Sequence, residues 1–289
     1  MSSSNTTVVS YNEKGFLRGV LDASVSNTKS LIKNRVLLFQ LSKRELSEPY
    51  AGQLLGSLWT FIHPIFLMLV YLFIFGVVFK QRIGGTRELP LDFTTYILSG
   101  FVPWLTFQMN LAKSCGVITG HASLVKQVVF PIEILPVKSI LATSLNQIVS
   151  VVILISYVLF CYKSLPVTYL ILPILIFLQL IFSIGIGYIL SAISVFVKDT
   201  KDLVSLFCVA SIYLLPIVYL PEWVPKIFQP FVYLNPFSYM IWCYQDVLYF
   251  GRIEHPAAWM IFVPMAIMSY GLGAYFFKKM QYLFGDVLQ

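Results

Sequence analysis

Seven stretches of the chain contain no Asp, Glu, Lys or Arg: residues 49–79, 93–112, 139–162, 164–197, 203–221, 227–245 and 256–277. A helix needs about 20 mostly apolar residues to cross the hydrocarbon core of a bilayer. By that measure six of the stretches predict a membrane span. The first is longer than needed, so its helix is placed from about Phe61, with residues 49–60 as a lead-in segment. The sixth differs, because Pro230 and the pair Asn235-Pro236 cut 227–245 into pieces too short to cross, and each proline removes a helix hydrogen bond. Two short helices dipping into the membrane from one side fit this pattern. Interrupted backbone is tolerated there only where protein or a wet cavity covers it. The predicted fold is all-α: a polytopic membrane protein of six transmembrane helices, with an external re-entrant segment at 222–255 between spans five and six.

Ahead of the first span, residues 31–46 place Ile32, Val36 and Phe39 at helical spacing among Lys33, Arg35, Lys43 and Arg44. This is the pattern of a basic amphipathic helix at the inner membrane surface, or of a helix packed on a partner protein. The polar residues before it predict a flexible cytoplasmic tail over 1–30. The organisation is then tail, amphipathic helix with lead-in segment over 31–60, and six-span domain over 61–289.

Composition agrees with the pattern. Of 289 residues, 58% are hydrophobic and 11% charged, against about 45–50% and about 25% in soluble domains. The formal net charge of +7 follows from where the basic residues fall. With six spans and the N-terminus inside, fourteen Lys and Arg lie on the cytoplasmic side and six outside; a seventh span would make the split thirteen to seven. The excess of basic residues marks the cytoplasmic side, so both termini are expected inside, and nucleic acid is not needed to explain the charge. The first 30 residues lack the apolar core of a signal peptide, which leaves the first span as an uncleaved insertion signal. Cys115, Cys161, Cys208 and Cys243 are too far apart for a zinc or redox motif and read as small apolar residues.

Chemistry-bearing motifs are missing. There is no phosphate loop, no nucleophile elbow, no HExxH and no CxxC, and His63, His121 and His255 are far apart. Glu254 beside His255 reads as a solvated loop pair. No catalytic residue, cofactor or metal site is expected in this chain. Nor does any span carry an internal charge of the kind that relays protons in carriers, so energy for transport is expected from outside the chain. Ser183, Gly187 and Ser191 form a flat face on the fourth span, suited to close helix approach within one subunit or between two. Tyr213, Tyr219, Trp223, Phe228, Tyr233, Phe237, Tyr239, Trp242 and Tyr244 crowd around the broken segment. They fit an interfacial belt or an outer gate whose rings stack on sugars, with Tyr219, Trp223, Tyr239 and Trp242 as its candidates.

Several motifs in order resemble the membrane subunit of type-2 ABC exporters for lipid-linked polysaccharides such as O-antigen, capsule and teichoic-acid polymers. Arg44-Glu45-Leu46, Tyr50, Leu55-Gly56 and Trp59 resemble the family's motif before the first span, and Gly100, Pro103 and Trp104 its GxxPW. Phe130-Pro131-Ile132-Glu133-Ile134-Leu135-Pro136 is similar to its FPxEILP run. Lys198-Asp199, Pro216 with Tyr219, and Asn235-Pro236 follow in register. Pro49 and Gln245-Asp246 depart from positions where basic residues are common. The resemblance implies a homodimer working with two ATPase subunits that bind ATP and Mg, in a bacterial inner membrane, passing a polyprenyl-diphosphate-linked glycan outward. It implies that the inner loop 113–138, with Leu124, Lys126, Phe130, Pro131 and Glu133, couples to the ATPase. Those basic groups could instead serve topology alone. Arg35, Lys43 and Arg44 are candidates for attracting the anionic head group. An exporter of a drug or small lipid would share this architecture.

Overall fold

The structure is a computed structural model that describes residues 15–78, 91–126 and 130–287, and it contains no strand among them. Lys14, Lys80, Arg82 and Arg87, which belong to the loop charge count, lie outside the described residues. Twelve α-helices follow one another among the described residues: α1 Phe16–Lys33, α2 Arg35–Ser47, α3 Trp59–Phe73, α4 Phe93–Ser114, α5 Ala122–Val125, α6 Ile134–Tyr162, α7 Leu172–Phe196, α8 Thr200–Leu214, α9 Gln229–Leu234, α10 Pro236–Gln245, α11 Pro256–Met280 and α12 Phe284–Val287.

The flexible tail predicted over 1–30 gives way to helix α1 from Phe16 onward. Its buried stripe is made of small residues, Gly19, Ala23 and Asn27, which lets α1 lie close on α11. A β-carbon at Gly19 would stand 3.1 Å from the Tyr275 ring, and one at Gly271 would stand 3.0 Å from Val20. Thr28 and Tyr270 share a hydrogen bond of 2.8 Å, and Lys278 donates to Ser26 at 2.8 Å. The opposite side of α1 and α2 exposes Leu17, Leu21, Val25, Ile32, Val36 and Phe39. The amphipathic region is thus two helices broken at Asn34 and longer than the 31–46 expected.

Among the described residues four helices are long and apolar enough to cross a membrane: Trp59–Val78, Ile134–Tyr162, Val167–Phe196 and Pro256–Val287. The first includes a widened turn over Ile74–Val78. Helix α4 has 22 residues, so its length of about 33 Å suffices, but it carries more polar side chains. The fifth apolar stretch, 203–221, is helical only to Leu214. Fifteen residues reach about 22 Å, short of the ~30 Å core. Beyond Leu214 the backbone turns through Pro216 to Pro221. The break expected at Asn235-Pro236 is present, and the Asn235 side chain accepts a hydrogen bond from the amide of Phe237 at 3.1 Å. Pro236 begins α10, where its missing N–H has no helical partner to lose.

Helix α4 runs through the larger core, packed on α6, α7, α8 and α10. A second cluster, with Leu135, Ile140, Tyr188, Ala192, Phe277 and Phe284, joins the ends of α6, α7 and α11. Backbones meet where α7 crosses α11: a β-carbon at Gly185 would lie 2.3 Å from the Ser269 carbonyl carbon, and one at Gly273 would lie 2.1 Å from the Gly185 oxygen. The flat face at Ser183, Gly187 and Ser191 is buried within this chain. Gly187 faces Ile140 and Ser114, and Ser183 accepts from Asn110 at 3.2 Å. The four cysteines are free.

Candidate coupling face and outer aromatic site

The FPxEILP run starts α6. Pro136 falls in the first turn, where an absent N–H costs nothing. Helix α2 lies on this start of α6, and one buried ionic contact pins it there. Lys138, 4% exposed, donates to Glu45 at 2.9 Å and to His121 Nε2 at 2.9 Å. Ser139 donates to Glu45 at 3.2 Å. His121 Nδ1–H donates to the Val117 carbonyl at 2.8 Å, a tautomer assigned from this network because Nε2 must then accept. Burial pushes the Glu45 carboxyl up, but the hydrogen bond and charge of Lys138, with Lys113 and Ser139, outweigh it and hold Glu45 below its ordinary value.

Of the head-group candidates, Arg35 and Lys43 line one groove of about 390 Å³ between α2 and α6, floored by Leu38, Phe39, Leu46, Leu141 and Leu145. Arg44 is not part of it; it pairs with Glu48 at 3.7 Å on the exposed side. Among the coupling candidates, Leu124 and Phe130 pack partly buried on the second core. Pro131 and Glu133 are partly buried, and Lys126 is exposed. The Glu133 carbonyl accepts from Tyr188 at 3.2 Å. Residues 127–129 of this loop lie outside the described residues.

The helices between the two ends hold polar contacts that a search for charges misses. Gln147 donates to Gln179 at 2.7 Å and to the Tyr244 hydroxyl at 3.0 Å; Gln179 donates to the Pro103 carbonyl at 2.9 Å. This joins α4, α6, α7 and α10. Asn110 links Ser183 and Thr143 in the same way. The turning backbone after α8 is also paired: Tyr96 reaches the carbonyls of Pro216 at 3.3 Å and Tyr219 at 3.2 Å, and Gln245 reaches Pro216 at 2.8 Å. Irregular backbone away from water needs such partners.

The aromatic residues do not form one group. Trp242 is 3% exposed, stacks on His255 at 5.5 Å and 9°, and meets Tyr233 at 5.3 Å and Tyr239 at 5.5 Å. Trp223 is 49% exposed and approaches Phe93 at 5.9 Å. Tyr219 is partly buried. Phe237 and Tyr244, grouped with them by sequence, lie in the core: Phe237 packs on Trp104, Phe107, Phe182 and Phe207. Glu254 holds Arg252 at 2.8 Å, and His255 has a carboxylate partner further back in the chain. Its partner is Asp246, 1% exposed. That carboxylate accepts from His255 Nδ1 at 2.7 Å, from its amide at 3.0 Å and from Trp259 at 3.0 Å. The helix carrying Asp246 continues past α10 through a wide turn to Phe250, so the charge that closes the 227–245 stretch does not end the helix.

Apolar helices joined by internal polar contacts, with helix α2 pinned to the start of α6, make up a multi-pass membrane protein of the permease type. The chain belongs to the ABC-2 type transporter family, whose sequence profile matches residues 36–249. It is similar to an "O-antigen export system permease protein RfbA" of Klebsiella pneumoniae, 25% identical over 254 residues, covering 87% of this chain and 95% of the relative. A protein of the same name from Myxococcus xanthus is 27% identical over 243 residues, covering 83% and 90%. The match extends across α2 to α10; α1 and α11 lie outside the family profile.

Proposed function

We propose that this chain is the permease subunit of an ATP-driven exporter that carries a polyprenyl-diphosphate-linked, O-antigen-like polysaccharide across the bacterial inner membrane. The observation that carries this reading is the similarity to O-antigen export permeases over nearly their whole length. Two copies form the conduit and two ATP-binding subunits drive it. Helices α3, α4, α6, α7 and α11 are five of the six spans, α8 with the turning backbone from Leu215 to Pro221 makes the sixth, α9 and α10 form the re-entrant segment, and both termini face the cytoplasm. The loop with Leu124, Lys126, Phe130, Pro131 and Glu133 engages the ATPase, with Lys126 its exposed contact. Arg35 and Lys43, with an apolar groove floor between them, suit an anionic head group on a lipid tail; Arg44 adds charge nearby. Tyr219, Trp223 and Tyr239 present rings to the passing glycan, and Trp242 backs them from the core.

The test is removal of the gene from its own host, with surface polysaccharide resolved as a gel ladder and ATP hydrolysis measured on the complex with its ATPase. Loss of the ladder, with lipid-linked glycan accumulating inside, is expected. An intact ladder, or hydrolysis stimulated by hydrophobic drugs and not by lipid-linked glycan, would sink the reading.

A further inference from the structure

Helix α2, the loop before α6 and α6 itself meet at one buried ionic joint. Glu45 comes from α2, Lys138 from the second turn of α6, and His121 from the turn at Thr119–His121. Two of the three donors of the Lys138 ammonium point at these partners, each at 2.9 Å, and Glu45 takes a further hydrogen bond from Ser139. An apolar pair of similar volume would pack here at no loss of stability. What the charged pair adds is direction, since charge-assisted hydrogen bonds fix angle as well as distance. The elements so fixed are the ones that, on the function proposed above, must move together: the loop facing the ATPase and the surface helix bearing Arg35 and Lys43.

We infer that Glu45, Lys138 and His121 form a rigid joint that transmits displacement of the inner loop to helix α2, and so moves the Arg35–Lys43 groove during each transport cycle. These are positioning residues, and the inference rests on the exporter reading. Leu124 and Phe130 strengthen it. Both pack on the second core, so the described ends of the loop bear on the helices that the joint ties together. Lys113 adds its charge to the Glu45 side of the joint.

The experiment compares Glu45→Gln and the double variant Glu45→Met/Lys138→Met with the unaltered chain, each co-expressed with the host ATPase in a strain lacking the permease. Subunit level, ATPase co-purification, ATP hydrolysis and surface polysaccharide are measured together. The double variant keeps packing without leaving a lone buried charge, so it is expected to accumulate and bind the ATPase normally. Polysaccharide exported per ATP hydrolysed is expected to fall by about 2- to 30-fold, the range that positions along a coupling path reach. If the double variant exports as the unaltered chain does, the joint only holds the fold and the inference is overturned. A parallel fall in level, ATPase binding and export overturns it equally. If the unaltered chain itself neither restores the polysaccharide nor binds an ATPase, the exporter reading fails instead.

Discussion

Replacing Gly185 with alanine tests the backbone crossing of α7 and α11. The added β-carbon would stand 2.3 Å, 2.4 Å and 2.5 Å from the carbonyl carbon of Ser269, its oxygen and the amide of Tyr270. All three are backbone atoms, so no side chain can rotate away. Ordinary contact begins at 3.4 Å, and the helices must therefore part by about an ångström. A radial gap of ~0.5–1 Å forfeits a quarter to a half of each contact it opens. The contacts at stake flank the crossing: Phe182 on Phe262 at 5.7 Å, Tyr188 on Phe277 at 5.0 Å and Tyr188 on Tyr270 at 6.4 Å. Helix association within a bilayer depends on this packing more than on the hydrophobic effect. Overpacking of ~1–3 kcal/mol is expected at its upper end. At about 2–4 °C per kcal/mol for a chain of this size, the melting midpoint should drop by ~6–12 °C. The assay is thermal denaturation of the detergent-solubilised chain, read by size-exclusion fluorescence. Gly116→Ala, where a β-carbon meets nothing within 4 Å, is the control and should melt unchanged. A Gly185→Ala protein that melts with the control would refute the crossing.

Asp246→Ala should destabilise by about 1–3 kcal/mol because it strips the acceptor from three partly buried donors; maleimide labelling of Cys243, fully buried in the intact chain, reports the opening, and unlabelled Cys243 would contradict it. Gln179→Leu should cost roughly 1–3 kcal/mol by leaving Gln147 and Tyr244 short of a partner. Adding Gln147→Leu should then cost less than its separate effect, which a double-mutant cycle on melting measures. Glu45 titrates lower when folded than when unfolded, so its stabilisation is complete above its ordinary value of 4.5 and is lost as the pH falls below that through the folded value. The melting gap between the unaltered chain and Glu45→Gln should therefore stay constant from neutral pH down to the ordinary carboxylate value and close below it; a gap that closes near neutrality would contradict the assignment. Trp223→Ala, an exposed ring by Phe93, should leave melting within about 0.5 kcal/mol, as surface substitutions do, while lowering polymer export; unchanged export would remove it from the gate.

Long apolar runs made the helices readable because length against bilayer thickness is a strong constraint. Helix α1 was not readable by the same means. Its buried stripe is Gly19, Ala23 and Asn27, and small residues that allow close approach look like a polar tail when large apolar side chains are counted. The early end of α8 was hidden because Leu215, Ile217 and Val218 continue the apolar run; Pro216 and Pro221 were its only local signal. Arg35 and Lys43 were legible as a basic surface and do share a groove. The Glu45–Lys138 pair was not, since its members are far apart in sequence and only tertiary packing joins them. Gln147 and Gln179 passed unnoticed because they are uncharged, though an amide inside an apolar helix must find a partner. Ring spacing located the aromatic region but could not sort Trp223, which is open, from Trp242, which is closed over by His255.

Where α7 and α11 touch main chain to main chain, neither can slide or roll past the other without collision. On the exporter reading proposed above, that pair is the stator. Displacement must then belong to helices with less to lose by shifting. The span that opens at Trp59 is one: 11% of its apolar window is buried, against 44% for the span containing α7. On the same exporter reading, motion within the subunit falls to its loosely packed span while the α7–α11 pair stands still.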